Sequence, residues 1–319
     1  MNADVSALFD AFAFASSEWQ FAVHDSRLIG LNRSICTTLI LVNEMKSFRI
    51  LLATILVPAL VVISGCDSNV EDDSTMLSFD FDPTVGGTPL VAGSQTYSIN
   101  GRATTIESAR FYVSEITLLK SDGSEVVLPA TTPLTTVARD ASGADVPFTV
   151  DQEIVLVKSD LGTSEYEIGA ADNGSYSGIR FKVGIDGLAN KVDASQIAAS
   201  HPLAVQTDKA NHWSWNSGFI FLRVDGKVDS DGDGTPESQY DVHLGTGNFL
   251  KTVTLDTPFT LDGGDAALHV IVDYAMFLDG LDYSDATQLI CHTMDNMPVA
   301  QKVGANIADA FTFHGVHTH

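Results

Sequence analysis

Cysteine is nearly missing from this chain of 319 residues: Cys36, Cys66 and Cys291 are all it has. Three thiols cannot supply the disulfide framework of a small secreted scaffold. Positive charge is scarce as well, with 17 Lys and Arg against 41 Asp and Glu and a formal net charge of −24. So acidic a surface repels phosphate backbones, which excludes nucleic acid as a partner and suits a protein that meets cations. Long hydrophobic runs are lacking too. The longest apolar stretch, 50–63, falls short of the roughly 20 residues that a membrane-spanning helix needs. Glycine and proline follow no fixed period, so a collagen-like chain is excluded. The catalytic signatures G-x-S-x-G, H-E-x-x-H and C-x-x-C-H are absent, and so is a phosphate-cradling glycine loop. Nothing here argues for an enzyme. What is present is a hydrophobic content of 45 %, enough to fill a packed core.

The apolar run belongs to a targeting pattern that begins at Met45, MKSFRILLATILVPALVVISGC. Lys46 and Arg49 form a short positive region, the run follows, and Ile63-Ser64-Gly65 leads into Cys66. Positive start, short apolar core and small residues are the parts of a secretory signal. With a cysteine at the cleavage point, the segment resembles a bacterial lipoprotein signal in which Cys66 becomes the lipidated first residue. The expected organisation is therefore a spurious extension at 1–44, a signal peptide at 45–65, an acidic tether at 66–76 and a folded domain over 77–319. Such a protein is held to a cell-envelope membrane by its acyl chains, on the periplasmic or surface side.

Within 77–319 the pattern is one of short strands. Leu77, Phe79 and Phe81 alternate with Ser78, Asp80 and Asp82, the period of a half-buried strand. Similar runs lie at 109–119, 154–157, 176–185, 219–224, 240–244 and 267–272, separated by turn clusters such as Asp262-Gly263-Gly264. This predicts an all-β chain, a single antiparallel β-sandwich domain with one short C-terminal helix over 298–309. Asn296 would cap that helix, with Pro298 in its first turn and Val299, Val303 and Ile307 on one face.

Two of the three tryptophans sit in Asn211-His212-Trp213-Ser214-Trp215-Asn216-Ser217-Gly218-Phe219. Trp213 and Trp215 are two residues apart, so in an extended chain they point the same way. Aromatic cover for the end of a sandwich is one reading of the pair. The segment also stands in an ordered series, after Phe111-Tyr112-Val113-Ser114-Glu115-Ile116 and Phe181-Lys182-Val183-Gly184-Ile185-Asp186, and before Tyr240-Asp241-Val242-His243-Leu244-Gly245. In that order the blocks resemble the MbnP-like family, the methanobactin-associated copper-binding periplasmic proteins. The resemblance runs from about Leu77 to the C-terminus. It implies a β-sandwich that handles copper outside the cytoplasm. It also implies a tryptophan, here Trp213 or Trp215, oxidised to kynurenine by a dihaem cytochrome c peroxidase-like partner and ligating copper together with histidines. Past the signal this chain has no histidine before His201, so N-terminal histidine ligands of the copper-binding branch have no counterpart.

A replacement set stands near the C-terminus. His292, Met294 and Met297 precede the predicted helix, and His314, His317 and His319 follow it, with His212 beside the tryptophans. Thioethers with imidazoles select Cu(I), whereas a solvated histidine tail and a core-covering loop need no metal. A second cation pattern is Asp229, Asp231, Asp233 and Glu237, with Asp241 after it. Alternate carboxylates around glycine match the first half of a calcium loop, but position 12 is Tyr240 instead of glutamate. A calcium-clipped hairpin and a plain acidic turn both remain open. His243 shares a strand face with Asp241, and His269 with Asp273, an arrangement expected for supporting or solvated histidines. Three readings follow: a lipid-anchored copper protein working with a dihaem partner, a calcium-stabilised surface module without copper, and a redox protein whose tryptophans relay oxidising holes.

Overall fold

The computed structural model describes residues 73–206 and 210–318. The signal pattern, Cys66, most of the expected tether and His319 lie outside the described residues. Among those described, no helix is long and apolar enough to cross a membrane.

The alternating sequence runs become the strands of two facing sheets. The eight that matter below are β1 (Ser74–Val85), β2 (Arg102–Lys120), β3 (Gly174–Val183), β4 (Gly218–Val228), β5 (Ser238–Gly245), β6 (Gly264–Asp273), β7 (Ile290–His292) and β8 (Phe311–Thr318). The larger sheet runs Lys251–Leu255, β3, β2, β4, β5, β7, with short strands added along it. The smaller runs β8, β6, β1, with Thr88–Pro89 and Glu165–Asp172 also paired to β1. A separate two-stranded ribbon joins Pro129–Arg139 to Asp145–Gln152. Phenylalanines meet between the sheets: Phe79 stands 5.6 Å from Phe181, and Phe81 stands 5.5 Å from Phe111, centroid to centroid. These edge-on contacts join β1 to β3 and β2 in one apolar core.

The predicted β-sandwich is thus the observed fold, with some local differences. Most pairs are antiparallel, but β1 runs parallel to β6, and β5 parallel to β7. β1 begins at Ser74, inside the expected tether, where buried Thr75 donates a hydrogen bond to Asn173 at 2.8 Å. β3 stops at Val183, because Gly184 at φ +116° swings the chain off the sheet and carries Ile185 into a second apolar cluster. The C-terminal α-helix spans Met297–Asn306 and tightens into a 3-10 turn, Ile307–Ala310. Its Val299, Val303 and Ile307 are buried as their spacing demands. Asn296 stands at the N-cap, yet its side-chain amide donates to the carbonyls of Thr287 and Ile290 instead of capping the helix.

The second cluster lies on the outer face of the larger sheet and includes Tyr112, Phe219 and Phe221. Along β5, Tyr240, Val242 and Leu244 enter the main core, so Asp241, His243 and Gly245 face outward. That outward strip carries the first candidate site.

Candidate metal centres

Strand pairing puts His243 of β5 between Arg223 of β4 and His292 of β7. The two imidazole centroids are 4.9 Å apart. Each ring is held by a carboxylate. His243 Nε2 is 2.6 Å from Asp225 Oδ1, and His292 Nδ1 is 3.0 Å from Asp295 Oδ2. An ionised carboxylate only accepts, so these nitrogens carry the protons, leaving His243 Nδ1 and His292 Nε2 as lone-pair donors. Asp225 is also bound by Arg223 Nε at 2.6 Å. Burial alone would raise the Asp225 pKa, but His243 and Arg223 outweigh it and hold the carboxyl below its ordinary range.

Trp213 closes one end of this strip. A Cβ placed on Gly245 would lie 2.5 Å from Trp213 Cζ3, so the missing side chain leaves the space that the indole covers. Trp215 is engaged elsewhere. Its Nε1 donates to the Lys191 carbonyl at 2.8 Å, and the Arg139 guanidinium lies 4.0 Å over its ring. The expectation that the two indoles share a direction therefore fails. The short strand His212–Ser214 breaks register against β4, and Trp215 lies beyond its end. His212 turns toward the second cluster, its ring 4.8 Å from Phe219 and its buried Nε2 without a partner. Burial pushes the His212 pKa down, with Asp193 partly opposing.

The C-terminal set is divided by the fold. His292 belongs to β7 in the larger sheet, whereas His314 and His317 lie on β8 in the smaller one. Met294 is 68 % exposed on the turn after β7, its amide donating to the His292 carbonyl at 2.8 Å. Met297 packs against the core at the helix start and is withdrawn from that set. Cys291 is buried, and desolvation raises its thiol pKa, which opposes thiolate ligation. His314 and His317 gather instead around His269 of β6. His269 was legible only as a supporting histidine, and His243 likewise. The missing signal was register: neither cross-strand neighbour is close in sequence.

The acidic loop does converge. Asp229, Asp231, Asp233 and Glu237 bring carboxylate oxygens within 4.8 Å of one another. Asp229 accepts from the amides of Gly232, Asp233 and Gly234 at 2.6, 3.0 and 2.9 Å, and Glu237 accepts from Ser230 Oγ at 3.0 Å. Asp241 is not part of this group. It stands further along β5 beside Asp225 and His243, and it accepts from Gln239 Nε2 at 2.8 Å.

The family described as MbnP matches residues 74–294. The solved structure of MbnP from Methylosinus trichosporium is similar at 18 % identity and a TM-score of 0.46, over 74 % of this chain and 93 % of that one. No curated protein matches. With the family match spanning well over half of its length, the chain belongs to the MbnP family.

Proposed function

We propose that this protein is an extracytoplasmic copper carrier, anchored by lipid at Cys66, that holds Cu(I) on the outward strip beside Trp213. The observation that supports this most is the His243–His292 pair: two adjacent imidazoles, each oriented by a carboxylate, each with one uncommitted nitrogen. Imidazole suits copper, and a carboxylate on the far nitrogen fixes the tautomer and raises ligand basicity. Exposed Met294, two residues after His292, offers a thioether to an incoming soft ion. Of the two tryptophans, Trp213 is the better candidate for oxidation to kynurenine, because its indole covers Gly245, two residues along β5 from His243, and Trp215 is engaged by Lys191 and Arg139. Oxidation of Trp213 is assigned to the dihaem peroxidase-like partner that the resemblance implies, acting as catalyst with peroxide or dioxygen as the oxidant. The family is not known for enzymes, and carriage of the ion is the whole of the activity assigned.

A titration against a chromophoric Cu(I) chelator tests this reading. Protein produced with the dihaem partner should hold one Cu(I) with higher affinity than protein produced without it. Equal affinity in the two preparations would remove Trp213 from the site.

The acidic loop supports a second, structural ion. Four converging carboxylates repel one another, and a hard cation with oxygen ligands relieves that repulsion. Calcium at a hundred times its Kd should raise stability by about 2.7 kcal/mol, visible as a higher Tm. Asp231→Ala should abolish the increment. Identical melting curves in calcium and in chelator would make the loop a plain acidic turn.

A further inference from the structure

The exposed face of the smaller sheet carries a group that the copper reading does not use. His269 of β6 and His314 and His317 of β8 bring one ring nitrogen each within 4.8 Å of the others. The His269 ring centroid is 5.1 Å from that of His314 and 5.1 Å from that of His317.

A bulge builds this arrangement. β8 pairs with β6 in regular register from Thr318 to Gly315, which faces His269, and then skips His314 so that Phe313 faces Val270. Unbroken alternation would send residues 313, 315 and 317 to the core side. The extra residue shifts the phase, so Phe313 and Val316 pack on the core while His314 and His317 emerge together on the outer face. Gly315, at φ +134°, adopts a backbone that favours glycine and puts no side chain opposite His269. Ala267, in register with His317, is small. The space around His269 is therefore open to both neighbouring rings.

His269 is not committed elsewhere. Its Nδ1 is buried without a hydrogen-bond partner, and its Nε2 has only Asp82 Oδ2 at 4.0 Å, beyond hydrogen-bond reach. A buried nitrogen without a partner is costly to keep, so the cluster calls for a ligand that takes imidazole lone pairs. Two of its three members also lie beyond residue 294, where the family match ends.

We infer that His269, His314 and His317 form a tris-imidazole site for a divalent first-row transition metal ion, distinct from the strip beside Trp213. Three neutral imidazoles suit Cu(II) and Zn(II) and are poor ligands for Ca(II) and Mg(II). Metal–nitrogen bonds of about 2.0–2.1 Å put donor nitrogens within about 4.2 Å of one another, and rotation of the exposed His314 and His317 rings lets them adjust to an ion. His314 and His317 are exposed, so the site is accessible to an ion from solvent. Asp82, 4.0 Å from His269 Nε2, adds a negative charge near the site without bonding to the ring.

The test is competition titration with zinc chloride on the purified protein, without a histidine tag. His314→Ala and His317→Ala should each weaken Zn(II) binding at least tenfold, and the double variant should lose it. Both side chains are exposed, so the metal-free melting temperature should stay as in the parent. Trp213→Phe should leave Zn(II) affinity unchanged, and the double histidine variant should leave Cu(I) affinity unchanged, which separates this site from the proposed copper site. Zinc affinity equal to that of the parent in the double variant would overturn the inference, as would zinc binding that disappears with Trp213→Phe.

Discussion

Asp160→Ala should destabilise the fold by about 3–5 kcal/mol, because it takes a bidentate carboxylate away from a buried guanidinium. Arg110 lies in the middle of β2 with its side chain 2 % exposed, and that of Asp160 is equally hidden. The contact is bidentate, with Nε at 2.9 Å from Oδ1 and Nη2 at 2.8 Å from Oδ2. Its position explains its weight. Asp160 stands in the 3-10 turn Ser159–Leu161, where the chain leaves Ile154–Lys158 on the larger sheet and heads for Glu165–Asp172 on the smaller. Ser159 of the same turn accepts a hydrogen bond from buried Tyr274 at 2.9 Å. The pair thus pins the crossing between sheets to the centre of the larger one. Denaturant unfolding of Asp160→Ala, Arg110→Met and the double variant Arg110→Met with Asp160→Leu measures it. The double variant should recover most of the loss, since it removes both buried charges of the pair together. A double variant as unstable as the sum of the two single ones would contradict that account.

The second large effect is expected in copper affinity. His292→Ala should weaken Cu(I) binding at least a hundredfold, about 2.7 kcal/mol, by removing one of two imidazole donors. His243→Ala should do the same and also cost stability, because Asp225 would remain buried with Arg223 alone. Asp295→Asn gives a finer readout. It leaves His292 in place but loosens the carboxylate that orients it, so the loss should fall in the ten- to hundredfold range that outer partners of metal ligands show. Gly245→Val should displace the Trp213 indole from the strip and also cost stability, because its Cβ would lie 2.6 Å from the Phe219 carbonyl oxygen. Chelator competition on each variant reads all four. If His292→Ala binds Cu(I) as tightly as the parent, the copper ligands lie elsewhere.

How far the sequence foretold these sites depends on whether their parts are neighbours along the chain. The alternation in β1 and the i, i+4 spacing of Val299 and Val303 report burial directly, because each residue's face is set by its own strand or helix. The acidic loop is legible for the same reason: its four carboxylates fall within nine residues. The histidine sites are not. His243 meets His292 through a parallel pairing, and His269 meets His314 and His317 across an antiparallel one. Reading the helix as the hub grouped His292 with His314 and His317, yet the strands on either side of it enter different sheets. The bulge at His314 lies further still from sequence periodicity, since Gly315 alone marks it.

Copper content and tryptophan chemistry in one sample test the central claim most directly. The untagged protein, isolated from cells that also make the dihaem partner, should carry one copper per chain, and peptide mass spectrometry should find kynurenine at Trp213 with Trp215 intact. Copper-free protein with both tryptophans unmodified, in cells supplied with copper, would contradict the claim.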